Sequence, residues 1–330
     1  MIIPMLQALY DPRSMLPLPT DSAFYEQAKE DIAFFGISSQ VYYLLKKRGQ
    51  LDQTPLFFRT WLEQSYTEAL YLNLFIERQM HQILSLFEEQ GIEVIPLKGV
   101  LLAERYFGHV GARATSDIDL LIHPSDLERA VNWIKSLGFI LEQERIPSHF
   151  HISYSKPLPN SPIPLTIELH WDLLKERTAN LNINEFWEEA RPLEPYKHIK
   201  ELSSYHTFYL ICLHGWRHNL DSLKYFIDMI QMIHVLQDEL DYSIFLNNAA
   251  SHKTLKRITR TIAIVYHYFP HLTRIKEFPV KSTRLWWEYE AVRQQNDRTL
   301  KQYVNWIYYE LFDFDSMKHT LWAMVGLISR

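Results

Sequence analysis

PLKGVLLAERYFGHVGARATSDIDLLIHP, residues 96–124, is the stretch on which the reading of this chain turns. Residues 117–122 are aliphatic apart from Asp117 and Asp119, which predicts a strand. Successive side chains of a strand point to opposite faces, so the two aspartates project together while Ile118 and Leu120 turn into a core. Adjacent carboxylates repel and raise one another's pKa, and a divalent cation with hard oxygen ligands relieves that cost. An isolated D-x-D could equally be two solvated acids at a strand end, because short motifs recur by chance. The flanking residues favour the Mg²⁺ platform. Lys98-Gly99 sits where a strand turns into a helix, and free N–H groups at a helix start, with a glycine allowing close approach, suit a triphosphate. Lys98 adds charge there, the Arg113 fork can grip phosphate oxygens, and Ser116 offers a further hydrogen bond.

Working outward, residues 22–90 are helical in pattern, with Tyr42, Leu44 and Leu45 as one apolar group and Leu70, Leu74, Met80, Ile83, Leu84 and Phe87 at helical spacing. Gly91 ends that region. A strand over 92–97, a helix over 100–107 and the strand over 117–122 follow. Ser125 and Glu128 form a capping-box pattern for a helix running to Gly138. Three more strands are expected over 139–143, 149–155 and 165–171, with a proline-rich loop at 157–164 before the last. Helical periodicity then resumes almost to the end, with Pro192, Pro195, Pro270 and Pro279 as breaks. The expected fold class is α+β: a small mixed sheet flanked by helical regions. The expected division is an N-terminal helical region at 1–90, an α/β core at 91–175 and a C-terminal helical domain at 176–330.

The bulk composition agrees with such a fold. Only 9 Gly in 330 residues suits a helix-rich chain, and 9 Trp, 19 Tyr and 18 Phe supply large rings for its cores. The formal net charge of -5, with no long basic block, argues against gripping duplex nucleic acid through its phosphates. The single cysteine, Cys212, excludes an intrachain disulfide and points to a reducing cytoplasm. The first residues do not read as a signal peptide, and the apolar run at 321–329 is too short to span a bilayer and reads as a final core helix.

LKGVLLAERYFG followed by GARATSDIDLLI resembles the uncharacterised bacterial nucleotidyltransferases of family 5, in the DNA polymerase β-like superfamily, and is also similar to AbiEii-type toxin nucleotidyltransferases. The resemblance implies that two acids on one strand and a third on a neighbour bind Mg²⁺ (or Mn²⁺). It implies an NTP donor and in-line attack by an acceptor hydroxyl or phosphate. Asp117 and Asp119 match the pair; Glu168, in LTIELHW, matches the third acid and alternates with Ile167 and Leu169. His170 shares the Glu168 face, as an acceptor-side base or a supporting group. Many superfamily members carry Gly-Ser after the first strand, whereas here Gly99 is followed by Val100.

LICLHGWRHNLDSLKYFIDMI, residues 210–230, puts His214 and His218 four apart on one helical face, with Asp228 returning to nearly the same side. The family resemblance makes them lining for an acceptor or base; buried polar residues joining helices are the alternative, and a Zn²⁺ site with Cys212 is a weak third reading. Trp286, Trp287, Glu288 and Tyr289, with Trp306 to Tyr309, read as core packing, and Lys253, Lys256, Arg257 and Arg260 as a solvated basic face. The expected reaction is transfer of a nucleoside monophosphate to a small-molecule, peptide or protein acceptor. The resemblance also implies a second reading, tailoring of a peptide natural product such as a lasso peptide, with a nucleotide or nucleotide-sugar donor acting on a phosphorylated peptide. A silent binding protein of the same fold and a tRNA-modifying enzyme are further alternatives. The acidic charge weighs against tRNA.

Overall fold

A computed structural model describes residues 2–11, 13–14, 18–142, 149–158, 163–280, 287–293 and 300–328. Helices α1 (Ile3–Tyr10), α2 (Ser22–Phe35), α3 (Ser38–Lys47) and the 34-residue α4 (Leu56–Glu89) come first. Strand β1 (Val94–Pro96), short helix α5 (Val100–Leu102), strand β2 (Asp117–Ile122), helix α6 (Leu127–Ser136) and strands β3 (Ile140–Leu141), β4 (His151–Lys156) and β5 (Leu165–His170) make the α/β unit. Helix α7 (Ile183–Glu188) and strands β6 (Arg191–Pro192) and β7 (Lys200–Glu201) lead into α8 (Ser204–Arg217), α9 (Leu223–Val235), α10 (Tyr242–Ser251) and α11 (Leu255–Tyr268). Four shorter or later helices, α12 (Leu272–Ile275), α13 (Tyr289–Arg293), α14 (Leu300–Ile307) and α15 (Met317–Ile328), complete the described residues.

The sheet runs β1-β2-β5-β4-β3, with only β2 and β5 parallel. Alternation divides its side chains between two cores. Ile118, Leu120 and Ile122 of β2, with Leu165, Ile167 and Leu169 of β5, join the second half of α4 and α6. On the other face Ile95 and Leu121 join a larger cluster made by α1 to α3 and the helices from α8 onward. The N-terminal helices therefore share a core with the C-terminal ones, although the sheet separates them in sequence. The face carrying Asp117 and Asp119 looks towards α8 and α9.

The small mixed sheet with helical flanks is as expected; several details differ. No capping box forms at Ser125: the chain enters α6 through a 3-10 turn, Pro124–Asp126, and the Asp126 side chain makes no cap bond. The helix expected at 100–107 is α-helical only over Val100–Leu102 and continues as a π-helical turn, Ala103–Phe107. Pro192 lies in β6 and Pro195 follows a cis peptide, so a two-stranded sheet interrupts the expected helical run. Leu74 is exposed while Asn73 is fully buried, which reverses the face read for that turn of α4. Arg257 is also wholly buried, its guanidinium 4.5 Å from the Trp216 and Phe314 ring centres and bonded to the Thr178 carbonyl. Arg260 bonds Asn219 and Asn305, so these arginines are not a solvated face. Trp287 and Tyr289 are core residues, whereas Trp306 is 49% exposed; Trp286 lies outside the described residues, as does Gln143 of the strand expected at 139–143. Leu321, Trp322, Met324 and Val325 of α15 are exposed rather than core.

Candidate active site

Strand register assembles the site. In the parallel β2–β5 pair Asp119 lies opposite Glu168, and in the antiparallel β4–β5 pair His151 lies opposite His170. Alternation then puts Asp117, Asp119, Glu168, His170 and His151 on one sheet face as a strip across three strands. One ligand oxygen from each of Asp117, Asp119 and Glu168 lies within 4.8 Å of the others. Three hard oxygens at that spacing fit Mg²⁺ or Mn²⁺.

Positive groups of the chain already answer these acids. Lys98 Nζ lies 2.5 Å from Asp119 Oδ2 and 3.2 Å from Asp117 Oδ2. His170 Nε2 lies 3.1 Å from both Asp119 Oδ1 and Glu168 Oε2. Burial alone would raise the Asp119 pKa, but Lys98 and then His170 hold it below the usual range. Burial likewise opposes ionised Glu168, yet His170, His151 and Lys98 bring it down to about 2. Burial would strip His170 of its charge, but hydrogen bonds to Asp119 and Glu168 raise its pKa instead. Lys98 is held charged in the same way, mainly by Asp119 and Asp117. His151, beside this charged imidazole, is pushed down to about 4 by burial and then by His170.

Gly99 sits between β1 and α5 at φ 76°, ψ -131°, a conformation that favours glycine. A Cβ there would come within 3.3 Å of Thr115 Cγ2, so the residue lets two backbone segments approach beside Asp117. Ser116 is exposed, its Oγ 3.4 Å from Asp117 Oδ1. Arg113 is placed elsewhere than on a phosphate: it is 2% exposed and gives Nε and Nη2 to the Asp228 carboxylate at 2.7 and 2.8 Å. Asp228, wholly buried on α9, is thereby a tie between the α/β unit and the C-terminal helices rather than a free cleft acid.

His214 and His218, from the end of α8, come together with ring centres 4.8 Å apart, and both meet the Tyr225 ring. Burial, then the cationic Arg217 and Lys98, lowers His218 to about 4, with Glu168 and Asp117 pulling the other way; its ring thus stands in the field of the acids. His214 is held well below its ordinary pKa by burial and then by Lys98, and it accepts a hydrogen bond from Arg217 at 3.3 Å. A small cavity lined by Lys98, Phe150, His170, Leu210, His214 and Arg217 separates the sheet from α8. Cys212 is buried in apolar surroundings, and none of the His, Cys, Asp and Glu clusters among the described residues includes it. The Zn²⁺ reading with Cys212 therefore has no support.

Sequence reasoning did not single out Lys224, Arg217 or His151. Lys224 is half-buried on α9; burial, then Arg113, lowers its pKa to about 8, while Asp228 and Asp117 oppose the change. Its signal was faint: it stands one helical turn before Asp228, on the same face. His151 carried the alternation of HFHIS, but only strand register reveals what it faces.

The family described as uncharacterised nucleotidyltransferase matches residues 32–270. No curated protein and no solved structure matches the chain. Among the described residues no helix is long and apolar enough to cross a membrane.

Proposed function

Because the chain belongs to the uncharacterised nucleotidyltransferase family, we propose that it moves a nucleoside monophosphate from an NTP to an acceptor in a divalent-metal-dependent reaction. The observation that carries this reading is the meeting of Asp117, Asp119 and Glu168 on one sheet face. Bound Mg²⁺ would supply charge against the donor phosphates and help orient them for in-line displacement.

The residues of the chain divide that work. Asp117, Asp119 and Glu168 are the ligands, and with depressed pKa values Asp119 and Glu168 enter as full carboxylates at neutral pH. Lys98 balances the charge of Asp117 and Asp119, and with a metal bound its flexible stem would let the ammonium reach a phosphate beside Gly99. Lys224, across the site on α9, adds a second cation for the donor, and Arg217 a third. His170 keeps a proton on Nε2 between Asp119 and Glu168 and so orients both. His214 and His218 remain neutral and offer hydrogen bonds to the acceptor without adding repulsive charge. The acceptor class is a small molecule, peptide or protein, in keeping with a net charge of -5.

Isothermal titration with each NTP and with nucleotide-sugars, with and without Mg²⁺, tests the reading on the wild type, Asp117→Asn and Asp119→Asn. Metal-dependent binding of an NTP that disappears in both variants supports nucleotidyl transfer. The same behaviour with a nucleotide-sugar alone moves the reaction to glycosyl transfer, as in tailoring of a phosphorylated peptide. Donor binding unchanged in the folded variants rejects the assignment.

A further inference from the structure

The three acids leave part of the strip unexplained. His151 and His170 face each other across β4 and β5, their rings 5.0 Å apart and inclined by 29°. Glu168 lies beside both: its Oε2 is 3.1 Å from His170 Nε2 and 4.0 Å from His151 Nε2, the latter too long for a hydrogen bond. Ligand atoms from His151, Glu168 and His170 fall within 4.8 Å of one another. Among the described residues Nδ1 of each histidine is buried with no hydrogen-bond partner, and His170 is only 3% exposed.

We propose that His151, Glu168 and His170 form a second metal site, one for a borderline divalent ion with Zn²⁺ as the preferred occupant. Two imidazoles and a carboxylate suit that chemistry, whereas the oxygen-only set of Asp117, Asp119 and Glu168 suits Mg²⁺. Around Zn²⁺, ligands at about 2.1 Å in a tetrahedron lie roughly 3.4 Å apart, and the 3.1 and 4.0 Å separations bracket that value. Occupation needs a small approach of His151, release of the Nε2 proton from His170 and loss of that proton's hydrogen bond to Asp119. The ion's charge takes over what that proton does for Glu168. Three protein ligands leave a fourth position open, the pattern of sites that bind a substrate atom or water rather than ones that only staple a fold. Glu168 belongs to both ligand sets, so the ions are neighbours, and the new one lies on the β4 side, away from Lys98 and Gly99.

The assignment concerns metal binding and is tested without the transfer reaction. The test titrates the full chain with Zn²⁺ against a chromophoric chelator, with Co²⁺ as a visible-absorbing substitute. The variants are His151→Gln, His151→Ala and Asp117→Asn, each checked by circular dichroism and melting. The expected result is one Zn²⁺ bound more tightly than Mg²⁺, with Co²⁺ bands of four-coordinate nitrogen–oxygen character. Losing a direct ligand should weaken binding by no less than the roughly 10–100-fold typical of outer-sphere partners, in both His151 variants. Asp117→Asn, which keeps all three proposed ligands, should retain the tight Zn²⁺. Zn²⁺ affinity unchanged in the folded His151 variants overturns the proposal. So does a loss in Asp117→Asn as large as in His151→Gln, which would place Zn²⁺ among the three acids. Failure of nucleotide binding in the donor titrations would leave these outcomes untouched.

Discussion

A charged amine and a buried arginine behave oppositely at the residue scale, and each has its own test. Lys224 has its pKa lowered to about 8 by burial and Arg113. As pH falls from 10.4, the ordinary lysine value, the unfolded chain takes up this proton before the folded one, so stability declines down to about pH 8 and stays reduced below it. Lys224→Met should therefore melt higher than wild type at pH 7, with the gain vanishing above about pH 10.4. The same variant should bind NTP more weakly, and calorimetric titration at both pH values checks the pair. Arg113 and Asp228 are the contrary case, a buried ion pair. Arg113→Met leaves a buried carboxylate unpaired and should cost about 3–5 kcal/mol in urea unfolding. Adding Asp228→Leu should recover most of that loss, which a phosphate-gripping arginine would not do.

Elements are held to the site by equally few side chains. Asn73, fully buried midway along α4, donates to the carbonyls of Val110 and Arg113 and accepts from the Thr115 N–H. It thus fastens the loop that delivers Asp117 to the start of β2. Asn73→Leu keeps the volume but strands three backbone groups, two of them buried, and each buried one costs roughly 1–3 kcal/mol. The expected outcome is a destabilisation of about 3 kcal/mol or more by denaturant titration. Mg²⁺ affinity should weaken with it, because the Asp117 carboxylate loses its fixed approach. Gly99 places the other loop: Gly99→Ala forces an unfavourable backbone angle and a Cβ against Thr115.

Over the whole molecule, histidines buried without charge set the acid limit of the fold. Burial lowers His218 and His271 to about 4, and His214, His206, His234 and His319 move the same way. Between the ordinary histidine value of 6.5 and about 4 the unfolded chain binds protons that the folded chain refuses. The contribution of these histidines is therefore full above about pH 6.5 and is lost as pH falls towards 4. The urea midpoint should drop across that window, before most carboxylates titrate. His271→Phe, outside the candidate site, should flatten part of the slope.

Strand periodicity by itself determined that Asp117 and Asp119 share a face, and that Glu168 and His170 share one on their own strand. The glycine-poor, ring-rich composition and the punctuation of the chain determined a small mixed sheet with helical flanks. These are local quantities, fixed by φ and ψ preferences and by which side chains avoid water. Only tertiary structure decided that β2 and β5 run side by side in the register that sets Glu168 against Asp119, and that β4 brings His151 to His170. It also gave Arg113 to Asp228, sank Arg257 between two rings and buried Asn73 in place of Leu74. The reason is common to all of these: a polar side chain's fate depends on whether a distant segment supplies its partner once water is gone, and no spacing along the chain records that partner.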